Sequence, residues 1–337
     1  KGYPPRLEGL LAEAGVQATV RNAGLASEDT TEALSRIGEV LRQGGDVLLL
    51  MEGTNDVGPG VSDETTRFNL QQLAQKALAR NISVIHATVI PRIPTAAKDS
   101  NNLLTQRLNE EIRDLAGNEG RGLVDPFEVF GSTPDLFTDF YDDDPDDAVG
   151  HPNSDGYDLL ARAFADVILD LDTVPPVTGR LDPANGATRV PVDHTLEIDV
   201  WDFGEGIDLA NTSLLVNGTV VAATQSGDSA HATLTYTPTD PFVGRVFIGL
   251  QSRDLASPVN SVNRTVASFL VAGTVFLDGD LNQDGRVDGA DLVIFARAFG
   301  SRRGETRYLL AADFDGDRTV DGTDLAVLAS NFGESTF

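Results

Sequence analysis

The chain has 337 residues, of which 41% are hydrophobic, and it carries a formal net charge of −27. That length accommodates two or three domains, each with its own core. The charge comes from 37 Asp and 15 Glu against 22 Arg and three Lys, so the surface repels nucleic acid and anionic membranes. No apolar run is long enough to span a bilayer, and the absence of cysteine excludes disulfides, thiolate metal sites and a cysteine nucleophile.

The chain opens on a helix. In KGYPPRLEGLLAEAG, Leu7, Leu10, Leu11 and Ala14 recur at helical spacing behind a Pro pair at the first turn. Short apolar runs then alternate with helical stretches. The expected strands are VQATV (16–20), DVLLLM (46–51), ISVIHATVI (82–90) and RGLVD (121–125); the expected helices are 31–43, 66–80, 101–116 and about 154–171. Val/Ile/Leu-rich strands separated by helices predict a parallel sheet covered on both faces, over residues 1–172.

TVPPVTG (173–179) reads as a linker. From there to Ala272 the helical period vanishes, and stretches such as HTLEIDVWDF and GRVFIGLQSRD, punctuated by NG, GD and TP, predict a seven-strand β-sandwich over 173–272. Its opening, LDPANGATRVPVDHTLEIDVWD (181–202), resembles immunoglobulin-like (Ig-like) modules of exported bacterial and archaeal proteins.

Residues 273–337 contain an internal repeat. GDLNQDGRVDGADLVIFARAFG (279–300) returns as ADFDGDRTVDGTDLAVLASNFG (312–333), in register throughout. Calcium takes six to eight hard oxygen ligands from a 12-residue loop. The first loop offers Asp280, Asn282, Asp284, the Arg286 carbonyl, Asp288 and Asp291; the second offers Asp313, Asp315, Asp317, the Thr319 carbonyl, Asp321 and Asp324. Gly285 makes the turn in the first, whereas Arg318 stands at that place in the second. An EF-hand usually closes its loop with Glu and has a helix on each side. This EF-hand-like repeat closes with Asp and has only the following helix, a pattern that resembles a type I dockerin, a small α module. The resemblance implies two bound Ca2+ ions and a cohesin-like partner. The pairs that bear on partner choice, Gly289-Ala290 and Gly322-Thr323, differ from the hydroxyl pairs of well-known cellulosomal dockerins.

Three short motifs carry chemistry in the first domain. GTND (53–56) directly follows a strand, where ligands bind in parallel sheets, and an Asn amide there can donate to a developing oxyanion. NAG (22–24) offers a glycine N–H at the same edge, and GHPNSDGY (150–157) sets a His before the last helix. In this order the motifs resemble three of the four conserved blocks of the SGNH (GDSL-type) hydrolases. These have a three-layer α/β/α, flavodoxin-like fold with strand order 2-1-3-4-5 and hydrolyse esters through a serine. The resemblance implies that Gly24 and Asn55 form the oxyanion hole and that His151 is the general base. Asp147 is its implied orienting acid, with Asp146 in reserve and a backbone carbonyl as the other option, because the family's acid position is here Ala148.

The family's nucleophile sits in a GDS motif after the first strand. Residues 1–172 contain no GDS, and Ser27, the first serine of the chain, lacks the strand-to-turn context. The family's first strand lies between its second and third, so without it VQATV and DVLLLM would stand about 9–10 Å apart, twice the spacing of paired strands. The expectation is therefore an N-terminally truncated α/β domain, inactive as given. With its upstream segment it would be a secreted or cell-surface ester hydrolase, associated through the dockerin-like repeat with polysaccharide degradation and acting on an acetylated carbohydrate, with a lipid or other small acyl ester equally compatible with the motifs. The rival expectation is a non-catalytic assembly or adhesion protein.

Overall fold

A computed structural model describes residues 2–57, 61–92, 99–131, 140–141, 151–272, 277–302, 307–314 and 319–335. The first half builds α1 (Pro4–Glu13), α2 (Thr30–Arg42), β1 (Val47–Leu50), α3 (Asp63–Leu78), β2 (Ser83–Ala87), α4 (Asp99–Asn118), β3 (Gly122–Val124), α5 (Pro126–Gly131) and α6 (Ser154–Ile168). β1, β2 and β3 form one parallel sheet in that order. Side chains alternate across it, as the two-residue period of a strand demands. Leu50, Val84 and Leu123 pack with α2, α3 and α4 on one face, while Leu49, Ile85 and Val124 join α1, α5 and α6 on the other. The three-layer arrangement expected from the sequence is present.

One expected strand is not. VQATV (16–20) is irregular and mostly exposed, and the Val20 N–H donates to the Glu8 carboxylate at 2.8 Å. A strand persists when its N–H and C=O groups find a ladder partner. Among the described residues β1 is bonded to β2 alone, and nothing pairs with 16–20.

α1 packs along α6. Arg6 donates to the Ser154 carbonyl and hydroxyl at 2.8 and 2.9 Å and pairs with Asp158, while the Tyr3 and Phe164 rings stack at 4.7 Å. Leu7 and Leu11 bury the helix's apolar stripe beneath these contacts.

The middle of the chain forms β4 (Val177–Asp182), β5 (Leu196–Trp201), β6 (Ser213–Val216), β7 (Thr219–Val220), β8 (Thr224–Gly227), β9 (His231–Tyr236), β10 (Arg245–Arg253) and β11 (Ser261–Leu270). They make two antiparallel sheets, β4-β5-β9-β8 and β11-β10-β6-β7, whose apolar faces share one core: Ile198, Val200 and Leu234 meet Leu214, Ile248 and Phe269. The described strands number eight, against the seven expected, because the NG turn at 217–218 folds β7 back on β6. The expected linker 173–179 is also shorter than its prolines suggest, since its last three residues already belong to β4 and are buried.

That burial comes from a seam between β4–β5 and α4. Trp201 donates its indole N–H to Asp114 at 2.7 Å, and the Arg180 N–H donates to the same carboxylate at 3.0 Å. The indole lies flat on Gly117 and Gly179, where a Cβ on either residue would collide with its ring. Beneath it, the buried Arg113 donates to Asp125 at 2.7 Å and to the Thr178 carbonyl at 2.9 Å, and pairs with Glu128.

Two helices, α7 (Gly289–Ala298) and α8 (Gly322–Asn331), close the chain around Val287, Phe295, Val320 and Leu328. The repeats cross-brace each other. Val287 is hydrogen-bonded to 333–334 after α8, and Val320 to 300–301 after α7. No described helix is long and apolar enough to cross a membrane.

Candidate active site

At the carboxyl end of β1 the chain turns through Gly53-Thr54-Asn55-Asp56. Gly53 holds φ +117°, in the range that side chains resist, and Leu108 and Thr66 close over it. Asp56 anchors the turn from below. Its buried carboxylate accepts from Thr30 N–H at 3.0 Å, from the Thr30 hydroxyl at 2.5 Å and from the Thr66 hydroxyl at 3.1 Å. Asp56→Ala leaves those donors unpaired in the interior. A loss of about 3 kcal/mol is expected in urea unfolding, and a loss below about 1 kcal/mol would show that Asp56 does not hold the turn.

Asn55 rides above this anchor, exposed, and donates its amide to the Glu28 carbonyl at 2.9 Å. Glu28 is itself gripped by a forked ion pair with Arg36 on α2. One of the two Asn55 amide hydrogens is thereby spent on orientation, which is how a side-chain donor is held ready for a developing charge. The structure thus joins the GTND turn to the segment that follows NAG. Gly24 departs from expectation in one respect: its N–H donates to Asn22 Oδ1 at 3.0 Å, closing a local turn.

His151 is exposed and precedes Pro152, whose backbone bridges Tyr141. Asn153 then caps α6 by accepting from Gly156 N–H at 3.0 Å. The cap fixes the chain direction two residues beyond the imidazole, at the end of α6 that Arg6 contacts. Asp147 and Asp146 lie outside the described residues. His86, inside β2, is fully buried with neither ring nitrogen hydrogen-bonded; burial, followed by Arg121, pushes it down to about 4, so it stays neutral.

Sequence reasoning missed Glu28, Arg36, Glu52 and Asp56. The Asp29-x-x-Glu32 capping box that starts α2 was the available signal for the first two. Burial, followed by Glu28, pushes the Glu52 carboxyl up to about 7. A carboxyl raised in the folded state holds its proton there and not in the unfolded chain, so its destabilisation grows as pH climbs from about 4.5 through 7. Glu52→Gln is accordingly expected to add about 1–2 kcal/mol at pH 8 and little at pH 4.5, read from thermal unfolding at the two values.

The first acidic loop is folded around its own oxygens. Asp280 accepts from the N–H groups of Asp284 and Gly285 at 3.1 and 2.9 Å. Asp291 reaches back to accept from Leu281, Asn282 and Asp288 at 2.8, 3.0 and 2.9 Å. Asp288 caps α7, Asp284 accepts from Arg286 N–H, and Gly285 turns at φ +87°. Burial, then the neighbouring Asp291 and Asp284 charges, pushes the Asp280 carboxyl up. An all-oxygen donor set that repels itself fits a hard divalent cation. In the second loop Asp324 accepts from Phe314 and Asp321 N–H, Asp321 caps α8, and the Thr319 backbone bridges Arg302. Asp313 is nearly buried there and accepts from the Tyr308 hydroxyl, whereas Asp315, Asp317 and Arg318 lie outside the described residues.

Comparison with known proteins agrees with both readings. A model of the GDSL-like lipase/acylhydrolase family matches residues 1–159, and a model of the dockerin type I domain matches 278–332. No curated protein matches the chain. Among solved structures, an acetylxylan esterase from Geobacillus stearothermophilus is 22% identical with TM-score 0.44, over 50% of this chain and 81% of its own. An acetyl xylan esterase is 22% identical with TM-score 0.41, over 48% and 88%, and a lipase/acylhydrolase from Enterococcus faecalis is 20% identical with TM-score 0.43, over 49% and 83%. Residues 1–159 are thus a GDSL-like lipase/acylhydrolase domain, and residues 278–332 are a dockerin type I domain.

Proposed function

We propose that residues 1–172 are the hydrolytic part of an extracellular serine carboxyl-ester hydrolase, and that residues 273–337 dock it, with calcium in both loops, onto a cohesin-like protein. The observation that supports this best is Asn55, held by Glu28 and Asp56 at the carboxyl end of a parallel strand. In the proposed reaction a serine hydroxyl attacks the ester carbonyl while His151 Nε2 takes its proton. Asn55 and Gly24 donate to the oxyanion, His151 returns the proton to the leaving alkoxide, and water then releases the acid by the same steps. Asp147 orients the imidazole. The acyl group is proposed to be acetate on a carbohydrate, on the strength of an esterase domain and a dockerin in one chain.

No serine of residues 1–172 stands in a GDS motif; the GDS at 227–229 lies at the exposed β8–β9 turn of the two-sheet unit, and Ser27 sits at φ +63° in an exposed turn. The 337 residues alone are therefore expected not to react with a fluorophosphonate probe or to hydrolyse p-nitrophenyl acetate. Labelling that disappears in Ser27→Ala would overturn this account of the nucleophile. Preceding the chain with a strand that ends in Gly-Asp-Ser is expected to create hydrolysis. In that fusion His151→Ala should abolish it and Asn55→Ala reduce it about 100-fold or more. Undiminished turnover in either variant would remove that residue from the mechanism.

A further inference from the structure

Three aspartates meet where the α/β unit joins the two sheets. Asp172 follows α6, Asp202 follows β5 in one sheet, and Asp254 follows β10 in the other. One carboxylate oxygen from each lies within 4.8 Å of those from the other two. Oxygens bound to a common calcium at 2.3–2.6 Å stand no farther apart than about 5 Å, so the cluster already has the dimensions of a shared ion.

Acidic clusters are common in a chain this acidic, and the distinguishing observation is Asp202. It is 6% exposed. Its Oδ1 accepts from Gly204 and Gly206 N–H at 3.0 and 2.8 Å, but its Oδ2, equally buried, accepts nothing. A buried carboxylate oxygen without a donor is costly and calls for a partner. The neighbours offer none. Asp254 is 1% exposed and spends its oxygens on Ala256 N–H, Asn260 N–H and the Asn260 amide, while Asp172 accepts from Glu205 N–H at 2.8 Å. Among the described residues no Lys, Arg or His forms an ion pair with any of the three.

We propose that Asp172, Asp202 and Asp254 bind a calcium ion that ties the end of the α/β unit to the strand ends of both sheets. The site is separate from the acidic loops of 280–291 and 313–324. Hard carboxylate oxygens select a hard divalent ion, and the ligands come from three separate elements whose backbones already meet here, Ile207 bridging Asp254 and Asn260 donating to the Asp172 carbonyl. The ion fixes the short connector 173–176, which lies directly after one of its ligands.

Trp201, the chain's single tryptophan, adjoins Asp202 and gives the site its own signal. Tb3+ titrated into the full 337-residue chain and excited at the indole is expected to luminesce, and added Ca2+ should quench it by displacement. Asp202→Asn keeps the acceptor for Gly204 and Gly206 and is expected to lower that emission tenfold or more. Bound Ca2+ in equilibrium dialysis should fall by one ion per chain. Asp172→Asn, at a less buried ligand, should act alike if Asp202→Asn fails to fold by circular dichroism. Asp280→Asn with Asp313→Asn should leave the indole-sensitised signal intact. Absent emission, emission unchanged in both single variants, displacement by Mg2+ but not Ca2+, or loss in the Asp280/Asp313 pair would each overturn the site.

Discussion

Excess EDTA is expected to erase the helicity of α7 and α8 while the two-sheet unit keeps its circular dichroism signature. The reason lies in the loops themselves. Asp280, Asp284, Asp288 and Asp291 crowd into one turn, and their satisfied contacts are almost all to backbone N–H groups within it. Those contacts orient the oxygens without neutralising them. The core beneath is small, resting on Val287, Phe295, Ala298, Ala312, Val320 and Leu328. A unit of this size depends on its metal for stability. At a thousandfold excess of ligand over Kd, binding adds about 4 kcal/mol, which is much of the stability such a module can have. Helicity at 222 nm that survives EDTA and does not respond to Ca2+ would refute the dependence.

The largest single-residue effect is expected at Arg113. It is 4% exposed, holds Asp125 through a forked pair, reaches Glu128 and donates to the Thr178 carbonyl. Removing the cation leaves the buried Asp125 without a countercharge beside Glu128, which keeps only the exposed Arg264, so Arg113→Met is expected to cost about 3–5 kcal/mol. Arg113→Lys keeps the charge but loses the planar fork, and should fall between wild type and Met. Because Arg113 also bonds β4, urea unfolding followed at Trp201 should report the loss even though the substitution lies in α4. A change under about 1 kcal/mol in Arg113→Met would show that Asp125 and Glu128 find other partners.

Most of the fold was legible because its signals are local. Val47–Leu50, Ser83–Ala87 and Gly122–Val124 lie within the apolar runs read as strands, and α2, α3, α4 and α6 start within about three residues of their expected positions. VQATV was misread for a physical reason: alternation shows that a segment can be a strand, but a ladder partner decides whether it is one. The repeat was the clearest signal, since two loops in register specify the same acceptor geometry twice. The residues proposed for the site, Asn55 and His151, are exposed and sit in punctuated loops, where a sequence displays them. Their supports were not legible. Glu28 reaches Asn55 through a backbone carbonyl, which no residue type announces, and Asp202 acquires its meaning only from Asp172 and Asp254, some 30 and 50 residues away in sequence.

The seam around Trp201 bears on how such a chain can be rearranged. Its indole belongs to β5, its acceptor Asp114 to α4, and the two glycines that admit it lie one on each side. Neither half has a complete surface without the other. A recombination event that exchanged the α/β unit alone would leave an indole with no cradle and an aspartate with no donor. Units joined in this way are expected to be exchanged only as a pair.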